Sequence, residues 1–153
     1  MATLMRLYER FAAALTGLAP VADLALRVAV AEAFFRSGLT KIQSWETTLA
    51  LFEYEYAVPL LPPVAAAWLG ASAELFLPVL LALGLLGRLS ALGLFLFNIV
   101  AVISYPDLSE SGLQFHLLWG LMLAMILTRG PGSLSLDHLL ARCRCHAAAG
   151  PAA

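Results

Sequence analysis

A chain of 153 residues, 61% hydrophobic and only 12% charged with a formal net charge of -1, is long enough for one compact domain and far too apolar for an ordinary soluble one. Its mean hydropathy of +0.87 points to a bilayer as its solvent. The nine Lys and Arg residues form no dense patch able to track a phosphate backbone, which argues against nucleic acid as a partner.

In chain order, Leu4 to Leu18 read as a short amphipathic helix with Leu4, Leu7, Phe11 and Leu15 on one face, suited to lying at a membrane surface. Glu9 and Arg10 interrupt this opening, and no small-residue cleavage motif ends an apolar run before Pro20, so the first span is expected to be retained. Four spans follow, from about Val21 to Leu39, Val64 to Leu86, Leu89 to Tyr105 and Leu113 to Thr128, each matched to a hydrocarbon core of about 30 Å. Turn chemistry separates them: Gly84 and Gly87-Arg88, then Pro106-Asp107 through Ser111-Gly112, then Gly130-Pro131-Gly132. The expected fold is an all-α, four-helix transmembrane bundle forming a single domain over residues 1–153, with residues 129–153 as a cytoplasmic tail.

Charge sets the expected orientation. With both termini cytoplasmic, the inner side holds Arg6, Arg10, Arg88, Arg129, Arg142 and Arg144, and the outer side only Arg36 and Lys41. The segment joining spans one and two carries Ile42, Trp45, Leu49, Phe52 and Tyr56 at alternating three- and four-residue steps, one apolar helical face. Pro59, Pro62 and Pro63 end it. It reads as an amphipathic interfacial helix on the outer leaflet or as a lid over the bundle mouth, with Trp45, Tyr54 and Tyr56 suited to the headgroup level.

Ionisable residues inside the spans are the candidate functional set, because a charge in hydrocarbon faces the bundle interior or a cavity and finds a partner there. Asp23 and Arg27 are four residues apart, as are Glu32 and Arg36, so each pair can meet on its own helix face. The two pairs are rotated by roughly 180°, and Lys41, if the helix reaches it, returns near the Asp23 and Arg27 face. Glu32, Glu74 and Asn98 are expected near mid-membrane, Arg27 in the inner half, and Arg36, Lys41 and His116 toward the outer edge. Glu74 is expected to reach Arg27 or Glu32, and the outer three to surround one mouth of the bundle. Each group also has a structural reading: a buried ion pair that sets register for Arg27 and Glu74, an interhelical hydrogen bond for Asn98, and packing for His116.

Enzyme templates fail. No Walker loop, His-Glu-x-x-His or dinucleotide-binding fingerprint is present, and Ser37-Gly38 and Ser111-Gly112 lack a nucleophile-elbow context. Bis-histidine haem is disfavoured, since His116 alone lies in the spans while His138 and His146 belong to the opposite side. Cys143, Cys145 and His146 form a Cys-x-Cys-His run able in principle to hold a soft metal, although two free thiols explain it as well.

Arg27, the run Phe34-Phe35-Arg36-Ser37-Gly38-Leu39-Thr40-Lys41, Glu74 with Gly84 and Gly87-Arg88, and Gly130 through Asp137 together resemble the DoxX family of small four-helix bacterial membrane proteins. The resemblance runs from about Leu26 to Leu139. Residues Phe52 to Pro63 with Ile103 to Pro106 are similar to the branch found beside biosynthetic genes for copper-binding modified peptides. This resemblance implies a multi-pass protein of the bacterial inner membrane, an accessory in redox or metal-stress physiology. Alternatives are a quinone- or thiol-linked oxidoreductase subunit, in which Arg27, Glu74 and His116 manage protons, a small transporter, and a structural scaffold. Quinone and copper are the candidate cofactors. The expected partners are the lipid bilayer, membrane or redox proteins, and a second copy of the chain. The family name does not assign a reaction, so enzymatic activity stays open.

Overall fold

The computed structural model describes residues 1–148, without the side chains of Ala2 and residues 145–148. It contains six helices and, among the described residues, no strand: α1 (Ala2–Gln43), α2 (Trp45–Tyr54), α3 (Pro63–Leu83), α4 (Gly87–Ser104), α5 (Glu110–Arg129) and α6 (Leu136–Ala148). Four of these, α1, α3, α4 and α5, are long and apolar enough to cross a membrane. Neighbours along the chain pack as neighbours in space: α1 lies on α3, α3 on α4, α4 on α5, and α5 returns to α1. Val30, Phe34, Leu81, Leu94, Leu123 and Ile126 meet along the bundle axis as its apolar core.

Local chemistry explains most boundaries. Pro63 begins α3 at a position where its missing N–H costs nothing, and Gly84 ends it in the left-handed region at φ +66, its N–H closing on the carbonyls of Leu80 and Leu81. The Ser109 side chain caps α5 by accepting from Gly112 N at 3.1 Å, and Gly130 closes that helix at φ +93.

The expected break between an amphipathic helix over 4–18 and a span from Val21 does not occur. Pro20 sits inside a continuous 42-residue α1. Proline deletes one backbone donor, but a run rich in Ala and Leu on its N-terminal side keeps propagating the helix across that loss. Relative to the expected span, α1 is also displaced along its axis. Arg27 stands level with the C-terminal turn of α3, where it bonds Leu81 and Ala82. The turns before it project past that end of the bundle, with Leu4, Leu7, Phe11 and Leu18 exposed.

Helix α2 packs on the start of α3 through Phe52, Ala66 and Ala67, with Trp45, Leu49 and Tyr56 around them. Thr48 Oγ1 donates to the Lys41 carbonyl at 2.9 Å, tying α2 back to α1. The Ala57 N–H donates to the Ser104 carbonyl at 2.8 Å, anchoring the following loop to the end of α4.

Candidate functional site

Between α2, α3, α4 and α5 lies a cavity of about 380 Å³ with largely apolar walls. Phe52, Leu69, Phe97 and Val100 supply much of the lining, and Lys41, Glu74, Ser104 and His116 bring polar groups to it. Tyr56 and Tyr105 also face it, their rings 5.2 Å apart and edge to face. An apolar chamber with a few convergent polar groups is the usual form of a small-molecule site.

The deepest polar element is an ion pair. Lys41 Nζ lies 2.6 Å from Glu74 Oε2, and Ser37 Oγ donates to Glu74 Oε1 at 3.1 Å while accepting from Lys41 Nζ at 3.0 Å. Ser37 and Lys41 share one face of α1 because they are four residues apart. Close approach makes the pairing possible: a Cβ on Gly38 would stand 3.0 Å from that of Glu74, so α1 and α3 touch here as only a glycine permits. Glu74 therefore pairs with Lys41, not with Arg27 or Glu32 as expected. The axial offset of α1 against α3 sets Lys41 beside mid-α3 and leaves Arg27 at the C-terminal end of α3.

The second polar element joins α4 to α5. Asn98 Nδ2 donates to the His116 carbonyl at 2.9 Å, and Asn98 Oδ1 lies 2.7 Å from His116 Nδ1. A carbonyl can only accept, so the first bond assigns the amide nitrogen and leaves Oδ1 facing the ring. Nδ1 must then carry the proton, and in the neutral ring Nε2 presents a free lone pair. Trp119 packs edge to face on the imidazole at 5.1 Å.

Ser104, at the C-terminal end of α4, is buried, and its Oγ has no hydrogen-bond partner among the described residues. Such a group loses its water without recovering a bond unless something in the cavity supplies one. Burial also raises the pKa of the Tyr56 phenol, reinforced by Tyr105, Glu55 and Glu74. Tyr56 thus holds its proton and stays a donor through the neutral range. Because its folded-state value lies above the ordinary 10.0, the stabilisation it gives is present below that value and lost as pH rises past it. The tyrosinate difference spectrum between wild type and Tyr56→Phe is expected to develop only above pH 10 in the folded protein; development below that value would contradict the burial argument.

The remaining candidates lie elsewhere. Glu32 and Arg36 pair with each other at 2.6 Å on the outside of the bundle, their side chains 55% and 76% exposed, so Arg36 does not join Lys41 and His116 at the cavity. Arg27 is buried at the opposite end and donates to the carbonyls of Leu81 at 3.3 Å, Ala82 at 3.2 Å and Leu134. It therefore caps α3 and holds the segment after α5, with Asp23 and Asp137 as nearby countercharges, in place of the simple Asp23 pair read from the sequence. Asp137 accepts from the N–H groups of Leu86 at 2.9 Å and Gly87 at 2.8 Å, capping α4 from about 50 residues away. That cap, like the cavity-facing Ser104 and Tyr105, was missed in the sequence, where only the motif around Asp137 hinted at it.

Among the described residues no three His, Cys, Asp or Glu side chains gather to hold a metal. Cys143 is a free, exposed thiol; the side chains of Cys145 and His146 lie outside the described residues.

Comparison with known proteins agrees with this architecture. An uncharacterized protein of Haemophilus influenzae is 34% identical over 129 residues, covering 78% of this chain and 83% of that protein. No solved structure matches. The family model described as DoxX matches residues 22–106, a stretch that holds Arg27, Lys41, Glu74, Asn98 and both cavity tyrosines. The chain is a multi-pass membrane protein of the DoxX family.

Proposed function

We propose that this protein is an accessory component of the bacterial inner membrane in redox or metal-stress physiology, and that it works by holding the head group of a quinone-type amphiphile in the cavity under α2. One observation carries this reading: a chamber of about 380 Å³ that is apolar in most of its lining yet presents a buried Ser104 hydroxyl with no partner among the described residues. Phe52 and Phe97 line the chamber and offer it aromatic surface. Ser104 and Tyr56 would donate hydrogen bonds to the oxygens of such a head group, and His116 Nε2 would accept from its hydroxyl in the reduced form. A head group of this kind supplies two-electron chemistry when bound; the chain's own residues orient it, exclude water and offer a proton site at His116.

The excess of Arg on loops at the Arg27 end of the bundle supports a topology with both termini cytoplasmic and the cavity toward the outer leaflet. Support of a copper-binding modified-peptide pathway is the narrower form of the same role. The two segments that carry that resemblance, Phe52 to Pro63 and Ile103 to Pro106, furnish Phe52, Tyr56, Ser104 and Tyr105 to the cavity wall.

Purified protein in lipid nanodiscs, titrated with a short-chain ubiquinone and followed by tryptophan fluorescence, tests the proposal. Saturable binding near one equivalent is expected, weakened about tenfold in His116→Ala and in Ser104→Ala, as loss of one buried hydrogen bond implies. Both variants should insert as wild type does, Ser104→Ala melting nearly unchanged and His116→Ala somewhat lower because Asn98 Oδ1 loses its partner. Binding that never saturates, or that is unchanged by both substitutions, would overturn it.

A further inference from the structure

Helix α1 has two faces with different jobs. Arg27, Val30, Phe34, Gly38 and Lys41 turn toward the other helices. Along a flank turned by about 120° from them, a strict seven-residue repeat runs the length of the helix: Leu4, Phe11, Leu18, Ala25, Glu32 and Leu39 at one position, and Leu7, Ala14, Val21, Val28, Phe35 and Ile42 at the other. Glu32 is the single polar residue in both series. Residues 4 to 32 of this row are all exposed, whereas Phe35 and Leu39 are half-buried, and the row borders a groove against Pro78, Val79, Ala82 and Leu83 of α3.

We infer that this face is a parallel two-fold seam on which a second copy of the chain docks, α1 against α1, with Glu32 and Arg36 of the two copies closing a ring of four alternating charges.

Three observations point to a second copy and not to lipid alone. Glu32 stands beside Pro78 and Val79 of α3, within the apolar span, and its side chain is 55% exposed there with Arg36 as its only ion-pair partner among the described residues. Hydrocarbon gives such a pair no compensation, whereas polar residues in spans normally face protein. The pair is also self-complementary. A two-fold axis along the membrane normal brings the carboxylates together at the seam and sets both guanidiniums around them, each copy contributing one charge of either sign. Finally, α1 is about 60 Å long at about 1.5 Å per residue, twice the roughly 30 Å of the hydrocarbon core. Its first five turns lie beyond the end of α3, yet they keep Leu4, Leu7, Phe11 and Leu18 exposed in the same row. A repeat of 3.5 residues that continues unbroken from hydrocarbon into water is the signature of a helix pair, and one polar residue in the series fixes its register.

The test uses full-length protein in the Cys143→Ser/Cys145→Ser background, reconstituted in lipid. Single cysteines at Leu18 and Val28 are expected to cross-link into covalent dimers within minutes of mild oxidation. One at Phe76, exposed on α3 away from the row, should stay monomeric. Glu32→Arg and Arg36→Glu each place four like charges in the ring, and each is expected to lower the dimer fraction at fixed protein-to-lipid ratio about tenfold, the scale of an interhelical polar contact in a bilayer. Mixing the two variants under different tags should restore a heterodimer, which a merely misfolded variant could not form. A monomeric wild type with no cross-link at Leu18 or Val28 would mean lipid alone covers the face and would overturn the inference. So would mixed variants that fail to pair.

Discussion

Arg27→Ala is expected to destabilise the bundle by about 3–5 kcal/mol, the range for removing one member of a buried charged network. The guanidinium satisfies carbonyls of Leu81, Ala82 and Leu134 at once, and its loss leaves the end of α3 uncapped and the post-α5 segment untethered. Arg27→Lys should recover only part of the loss, since a single ammonium cannot span the fork of a guanidinium. Gly84→Ala is expected to act in the same direction. Its added methyl group would invade both the guanidinium and Ser135, at a φ of +66 that a side chain disfavours. Thermal unfolding in detergent, followed by tryptophan emission, measures each effect against Arg88→Ala. Among the described residues Arg88 bonds Thr128 O alone, at 3.4 Å from an exposed position, and its variant should fall within about 1 kcal/mol of wild type. An Arg27→Ala protein as stable as Arg88→Ala would refute the capping role.

Lys41→Met carries the second large effect. It leaves Glu74 buried among Ser37 and apolar neighbours without its cation, at a cost of about 3–5 kcal/mol unless the carboxyl takes up a proton. The double variant Lys41→Met/Glu74→Leu removes both charges and is expected to regain most of that stability, because a well-packed apolar pair often replaces a buried ion pair at little cost. Quinone binding offers the separating readout. If the pair only sets the packing of α1 on α3, the double variant binds as wild type does; if it polarises the cavity, stability returns while affinity stays reduced. Equal melting of Lys41→Met and wild type would sink the argument.

Both effects rest on partners that no local pattern discloses, and this marks the division between what the sequence determined and what only the packed chain decided. Apolar runs of membrane-spanning length, broken at Gly84, at Pro106 and at Gly130, were sufficient to determine residence in a membrane, the number of helices long and apolar enough to cross it and the short helix before α3, since length and periodicity are properties of each segment alone. Helical rotation likewise separated Glu32 and Arg36 from Arg27 and Lys41: about 100° per residue is fixed by backbone geometry, and α1 does place the first pair outside and the second inside. Axial offset between helices has no such local rule. It depended on the contact that Gly38 allows with Glu74 and on which end of α3 lay beside Arg27. Asp137 capping α4 across 50 residues, and Ser104 aligned with His116 around one chamber, follow from that offset and from the order in which four helices close on one another. Helix faces are written residue by residue; the partner each face meets is set by the lowest-energy packing of all of them together.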